Sequence, residues 1–194
     1  METQCSDAQD QRNQVAINAV RQLLISIGED PDREGLIDTP KRVVKALREM
    51  TKGSKELPSE ILARTFGEPC DEMVVVRNIP FTSLCEHHML VFRGTAHVGY
   101  IPSNRVVGLS KIPRLVDCFA NRLQIQERLT DQVAEAIEVH LEPLGVGVIM
   151  EAEHSCMACR GVQKSGASMV TSSMRGLMKS DHKARSEFMT VANR

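Results

Sequence analysis

Residues 73–100 decide the fold, because they contain Met73-Val74-Val75-Val76, Leu90-Val91-Phe92 and Ala96-His97-Val98-Gly99-Tyr100. Runs rich in Val and aromatic residues and bounded by loops are typical of strands. The predicted secondary structure therefore changes here from helices to strands. We predict strands at 73–76, 90–92 and 96–100, with a loop between the first two that carries Cys85-Glu86-His87-His88.

The first third of the chain is predicted to be helical, with helices at 13–27, 39–50 and 59–65. In the first of these, apolar residues recur at helical spacing and Gly28 ends the run. Thr39-Pro40 has the form of an N-cap followed by proline at the first helical position. Residues 1–12 are expected to form a flexible tail, so the helical N-terminal region is predicted at 13–66.

The rest of the chain alternates strands and helices. Helices are predicted at 110–121 and 125–141, strands at 146–150 and 167–174, and a last helix at 180–191. Two pairs of strands around a pair of helices favour an α+β fold with a largely antiparallel sheet. The second region is predicted to span residues 67–194.

Composition and charge narrow the class of protein. The chain has 194 residues, of which 25% are charged, and a formal net charge of −1, as expected for a globular domain with a real core. A net charge near zero argues against a general nucleic-acid or membrane surface. The start is polar, and no apolar run approaches the ~20 residues of a membrane span. We therefore expect a cytoplasmic protein whose six cysteines serve metal or catalytic chemistry rather than disulfides.

Two short clusters combine thiols with imidazoles, the ligands that Zn²⁺ prefers. Cys85 and His88 stand at C-x-x-H spacing, and Cys156 and Cys159 form a C-x-x-C pair. Four ligands would make a closed structural site, whereas three would leave a position open for chemistry, and spacing alone leaves both alternatives open. A thioredoxin-like redox pair is disfavoured because no βαβ pattern surrounds it. A nucleobase deaminase is excluded because Ser155 stands where that motif needs proline.

Two further histidines accompany these clusters. His87 adjoins His88, and His154 precedes Cys156 by two residues. Imidazoles next to a metal either transfer protons or form hydrogen bonds around the ligands. Two of them beside one site favour the catalytic alternative.

Basic and polar residues elsewhere suggest an anion site. Residues 161–168 resemble half a phosphate-binding loop but lack its lysine, so nucleotide cleavage by a P-loop is not predicted. Ser110 is a plausible N-cap, and Lys111 and Arg114 behind it share one helix face at the positive end of the helix dipole. Together with Arg160, close to a metal, they suggest a phosphorylated substrate.

Five motifs in order along the chain resemble those of GTP cyclohydrolase I, the zinc-dependent type. They are Cys85-Glu86-His87-His88, Gly99-Tyr100-Ile101-Pro102, Gly108-Leu109-Ser110-Lys111, Gln126-Glu127-Arg128-Leu129-Thr130, and His154-Ser155-Cys156 through Arg160-Gly161. The resemblance extends from about Ile17 to Phe188, and several of the motifs are long and distinctive.

The resemblance implies a reaction and a cofactor. GTP and water would give 7,8-dihydroneopterin triphosphate and formate, the first step of pterin and folate biosynthesis. The imidazole ring of guanine opens with loss of formate, and the ribose rearranges before the ring closes again. One Zn²⁺ per subunit is implied, held by Cys85, His88 and Cys156 with an open position for water. Cys159 would then have no part in binding the metal.

The resemblance also implies roles for the residues around the metal. His87 and His154 would transfer protons, His154 on the N7 side of the purine and His87 at the ribose ring oxygen. Ser110 joins them in the catalytic set.

Substrate contacts follow from the same motifs. From the sequence alone, the Glu127 carboxylate merely complements the N-terminus of a helix. The resemblance overturns that interpretation and pairs Glu127 with the N1–H and 2-amino edge of guanine, with Gln126 beside it in the base pocket. Lys111, Arg114 and Arg160 would contact the phosphates and the ribose.

The fold that the resemblance implies is the tunnelling fold, in which small antiparallel sheets carry paired helices. The family assembles as a pentameric barrel, and two barrels stack into a homodecamer whose active sites lie between subunits. Residues 67–194 would be the catalytic tunnelling-fold domain. Allosteric control is compatible with such an assembly, and the sequence leaves the role of the N-terminal tail open.

Overall fold

The computed structural model describes residues 2–68 and 70–192, with side chains from residue 10 onward. Its internal contacts divide the chain into two compact units, Met1–Thr51 and Lys52–Arg194. Within the described residues, no helix is long and apolar enough to cross a membrane.

The first unit consists of two helices, α1 (Glu2–Ser26) and α2 (Thr39–Met50), which pack against each other. The backbone of residues 2–12 is helical, whereas the sequence predicts a flexible tail there. These residues include Glu, Gln and Ala and no Gly or Pro, so they favour helix despite their polarity. Asp38, rather than Thr39, occupies the N-cap position of α2, and its side chain makes no capping hydrogen bond.

The second unit is built on a five-stranded sheet in the order β5-β2-β3-β6-β7. Its strands are β2 (Val74–Cys85), β3 (Val91–Ile101), β5 (Leu123–Gln124), β6 (Gly145–His154) and β7 (Ser168–Gly176). All pairings are antiparallel except that of β5 with β2. A separate two-stranded sheet pairs β1 (Thr65–Phe66) with β4 (Val106–Val107).

Helices cover both faces of the five-stranded sheet. The helices of this unit are the 3-10 helix Lys52–Lys55, α3 (Pro58–Leu62), α4 (Lys111–Ala120), α5 (Gln126–Leu141), α6 (Ser155–Ala158), α7 (Leu177–Ser180) and α8 (His182–Ala192). α4 packs on β2, and α5 packs on β6 and β7. On the other face, Phe188 of α8 sits over Gly99 and Gly147, where an added Cβ would lie 2.7 Å from its ring. Helix–sheet burial on both faces supplies most of the driving force for folding.

The predicted α+β class and the antiparallel sheet with paired helices are confirmed. The first predicted strand, 73–76, is too short, because β2 continues to Cys85. A register shift between Val76 and Ile79 and the left-handed backbone of Asn78 mark a bulge that interrupts the alternating pattern. The predicted helix 59–65 ends at Leu62, and β1 follows it.

Candidate metal and catalytic site

Two strand ends deliver the Cys and His clusters to one place. β2 ends at Cys85, whose N–H donates to the carbonyl of Leu90 across a tight turn. Met89 closes that turn in the left-handed region, and its N–H donates to the Cys85 carbonyl over 2.8 Å. β6 ends at His154, which lies opposite Phe92 in the register with β3. The sheet therefore places the second cluster beside the first.

The structure brings Cys85, His88 and Cys156 together. Their ligand atoms all lie within 4.8 Å of one another, and Cys85 Sγ is 4.0 Å from His88 Nδ1. Tetrahedral Zn²⁺ with ordinary bond lengths separates neighbouring ligand atoms by roughly 3.6–3.8 Å. Cys85 stands at the end of a strand and Cys156 on the one-turn helix α6, so the loop placement predicted for Cys85 is wrong.

The electrostatics of the two thiols also fit a cation. Burial raises the pKa of the Cys156 thiol, and the neighbouring Cys85 raises it further. Two thiolates held close together repel each other, and a divalent cation between them removes that cost. Two sulfur ligands and one imidazole are a set that Zn²⁺ accepts in sites with an open fourth position.

Cys159 lies outside this group. Its thiol is exposed and donates to the carbonyl of Ser155, with a separation of 2.9 Å. The five cysteines with described side chains are all free. Cys5 lies outside the described side chains.

His87 stands on the exposed side of the turn. Its Nδ1 is 4.0 Å from Cys85 Sγ, and its Nε2 is 3.9 Å from a carboxylate oxygen of Glu86. The rings of His87 and His88 meet edge to face. His87 therefore lies beside the three residues that could hold a metal, with its ring exposed.

His154 is held more firmly than His87. Its ring stacks on Phe92 with centroids 4.6 Å apart and planes 3° from parallel. Its Nε2 is 2.9 Å from the side-chain oxygen of Gln126. Burial lowers the pKa of His154, and the charge of Glu127 partly opposes that shift.

An ion pair connects the turn that carries Cys85 and His88 with α5. Arg128, in the first turn of α5, makes two hydrogen bonds of 2.6 and 3.0 Å to the carboxylate of Glu86. This pair lowers the pKa of Glu86. Glu127 is exposed on the same turn of the helix.

The predicted phosphate contacts fall into two places. Arg160 Nη1 lies 3.2 Å from His88 Nε2, at the metal group. Ser110, Lys111 and Arg114 open α4, with Ser110 at the N-cap position but without a side-chain capping bond. Among the described residues, no hydrogen bond or ion pair joins these three to the metal group. Arg114 instead lines a cavity next to the 3-10 helix Lys52–Lys55.

Sequence reasoning missed Phe92 and the Glu86–Arg128 pair. Phe92 could not be linked to His154, because their contact depends on the register of β3 with β6. Glu86 lies in the first of the five motifs given above and Arg128 in the fourth. Their opposite charges, in two motifs assigned to one site, could have predicted an ion pair.

The comparisons with known proteins agree with the motif resemblance. The sequence model of the family described as GTP cyclohydrolase I matches residues 16–193. The protein named GTP cyclohydrolase 1 from Dictyostelium discoideum is 53% identical over 175 residues, which cover 90% of this chain and 75% of that protein. The one named GTP cyclohydrolase 1 from Leptospira biflexa is 53% identical over 175 residues, covering 90% of this chain and 96% of that protein.

A solved structure gives a more distant likeness. The crystal structure of the archaeosine synthase QueF-Like in the apo form has a TM-score of 0.45 and 18% identity, over 56% of this chain and 96% of that chain.

Proposed function

The chain belongs to the GTP cyclohydrolase I family, and we propose that it is a zinc-dependent hydrolase acting on GTP. The products are 7,8-dihydroneopterin triphosphate and formate, and the reaction opens pterin and folate biosynthesis. The observation that carries the proposal is the three-residue group Cys85, His88 and Cys156, with two histidines beside it.

Cys85, His88 and Cys156 would hold the metal, one per chain. Bound Zn²⁺ supplies a Lewis acid that makes water a nucleophile near neutral pH. The Cys159 thiol donates to the Ser155 carbonyl, so three residues would hold the metal and it would stay accessible to water. This division of roles favours a catalytic site over a closed structural one.

His154 and His87 move protons in this proposal. His154, stacked on Phe92, exchanges a proton on the N7 side of the purine as the imidazole ring opens. His87 is exposed and serves the ribose ring oxygen during the sugar rearrangement. Burial lowers the pKa of His154, which favours the neutral imidazole that a general base requires.

Glu127 recognises the base. Its carboxylate offers two acceptors, which match the N1–H and 2-amino donors of guanine. Arg160, Lys111 and Arg114 bind the triphosphate and the ribose, and Ser110 assists them at the start of α4. Forked guanidinium donors suit phosphate oxygens.

A homodecamer of two pentamers, with active sites between subunits, would unite the two groups of substrate contacts. Within the described part of one chain, Ser110, Lys111 and Arg114 have no bond to the metal group. A second chain could bring its own α4 to that group. We also propose that the enzyme works in the cytoplasm, where its free thiols stay reduced.

Incubation of the zinc-loaded protein with GTP tests the proposal. We expect equal amounts of formate and of a pterin that becomes fluorescent after oxidation, and no released phosphate. Guanosine should give far less product, because it lacks the triphosphate that the basic residues bind. Metal-loaded protein that leaves GTP unchanged would refute the assignment.

A further inference from the structure

Gln126 is the first residue of α5, and its side chain points into the protein rather than into solvent. It is 1% exposed. Its Nε2 lies 3.0 Å from the carbonyl of Met150, 2.8 Å from that of Met169 and 3.1 Å from the hydroxyl of Thr171. Its Oε1 lies 2.9 Å from His154 Nε2.

These partners fix the orientation of the amide. The carbonyls of Met150 and Met169 are pure acceptors, so the atom that faces them must be the NH₂ group of Gln126. A flipped amide would set its oxygen against two carbonyl oxygens in a buried place, which is costly. The side-chain oxygen of Gln126 therefore faces His154.

The orientation of the amide determines the tautomer of His154. Gln126 Oε1 can only accept a hydrogen bond, so the ring nitrogen 2.9 Å away must donate one. That nitrogen is Nε2, so neutral His154 carries its proton on Nε2. Nδ1 is left with a free lone pair and is the ring atom that accepts a proton.

The hydroxyl groups of two threonines stabilise this orientation of the Gln126 amide. Thr130 Oγ1 donates to the backbone carbonyl of Gln126 over 2.8 Å and lies 2.6 Å from Thr171 Oγ1. Thr130 has one hydroxyl proton, so Thr171 donates to Thr130 and accepts from Gln126. The two N–H groups of Gln126 Nε2 then serve three acceptors, the carbonyls of Met150 and Met169 and the hydroxyl of Thr171, so one N–H is shared. A flipped amide would place its oxygen against all three of these acceptors.

We propose that Gln126 is a positioning residue, which sets the tautomer and the in-plane rotation of His154, while Phe92 sets the plane of its ring. The bond between His154 Nε2–H and Gln126 Oε1 leaves Nδ1 as the ring atom available for proton exchange with a substrate. The family resemblance suggests instead that the Gln126 side chain lies in the base pocket. The effect of Gln126 on catalysis rests on the function proposed above.

The tautomer is testable without any turnover. ¹⁵N spectra of histidine-labelled, zinc-loaded protein without GTP should show His154 with a protonated Nε2 and a bare Nδ1, assigned by the signal lost in His154→Ala. A protonated Nδ1 in the neutral ring would overturn the proposal. Since no substrate is present, this result does not depend on whether the protein acts on GTP.

Steady-state kinetics separate positioning from substrate contact. Gln126→Leu keeps the volume but removes the acceptor, so kcat should fall by about 10- to 100-fold, part of the usual gain from proton transfer, with KM for GTP nearly unchanged. Gln126→Glu should recover part of kcat, since a protonated carboxyl can accept from His154 and donate to one carbonyl. A raised KM with unchanged kcat would overturn the proposal in favour of direct base binding.

Gln124→Leu is the matched control for a buried glutamine. Gln124 is also 1% exposed, and its Nε2 donates to the carbonyl of Phe119 and to Gln132. Among the described residues, no hydrogen bond joins its side chain to His154, so kcat should stay close to that of the wild type. An equal loss of kcat in both variants would show that Gln126 has only a structural role. If Gln126→Leu fails to fold, the wild-type spectra still decide.

Discussion

At the scale of single residues, two cysteines of one C-x-x-C pair have different surroundings. Cys156 is half-buried beside Cys85 and His88. Cys159 is exposed, and its thiol donates a hydrogen bond to a backbone carbonyl. Cys156→Ala should therefore lose zinc and activity, and Cys159→Ala should keep one zinc per chain and nearly full activity. Zinc analysis of the two purified variants checks this. Equal loss of zinc from both would indicate a closed four-ligand site.

His97 gives the protein a dependence of stability on pH. Its Nδ1 is buried and has no hydrogen-bond partner among the described residues. The pKa of His97 is lowered mainly by burial and also by Arg77, with Glu151 opposing. The unfolded chain therefore binds a proton at higher pH than the folded chain does. Stability should fall as the pH drops through about 6.5, the unperturbed value for histidine.

Urea unfolding at mildly acidic and mildly alkaline pH tests this effect. The free energy of unfolding should fall more on acidification in the wild type than in His97→Gln, which cannot titrate there. His182→Gln, at the exposed start of α8, serves as the control and should behave like the wild type. An identical fall in His97→Gln would contradict the assignment to His97.

The metal ligands are predictable from residue type and spacing, but the choice among them is not. Cys85, His88 and the pair Cys156 and Cys159 follow as candidate ligands from their chemistry. Spacing could not separate Cys156 from Cys159, because that depends on the direction of each side chain around the one-turn helix α6. The role of Gln126 was also out of reach, since its four partners lie on β6 and β7 and require the strand register.

At the scale of elements, the Glu86–Arg128 ion pair connects the turn that carries Cys85 and His88 with α5. Arg128→Met removes both hydrogen bonds and frees the turn, and zinc affinity should fall by about tenfold, as for other groups that orient metal ligands. Competition with a chelator measures the affinity. Arg42→Met, which breaks the exposed Arg42–Asp38 pair on α2, should leave it unchanged. Unaltered zinc binding in Arg128→Met would contradict the connection.

Helices with strong apolar periodicity were predicted most closely. α2, α4 and α5 lie within one residue of their expected bounds at either end. β2 was cut short because Asn78, at its bulge, and Pro80 hide the alternation. The start of α1 was missed because a polar segment without an apolar stripe gives no periodic signal, although its residues favour helix.

At the scale of the whole molecule, the predicted family and the α+β fold are confirmed. The division into a tail and the regions 13–66 and 67–194 stays a prediction. So does the assembly, which depends on surfaces that the chain pattern does not specify. We expect a solution mass ten times the 21.5 kDa of one chain, measured by light scattering. A monomer that turns over GTP at full rate would exclude sites between subunits.

In the proposed function, one zinc ion held by Cys85, His88 and Cys156 gives this chain its activity on GTP. The most direct measurement titrates zinc into metal-free protein and follows formate release from GTP. Activity should rise in proportion to bound zinc, reach its plateau at one ion per chain, and be absent in Cys156→Ala at every zinc concentration. Full activity in the metal-free protein, or a plateau unrelated to zinc content, would contradict the proposed role of zinc.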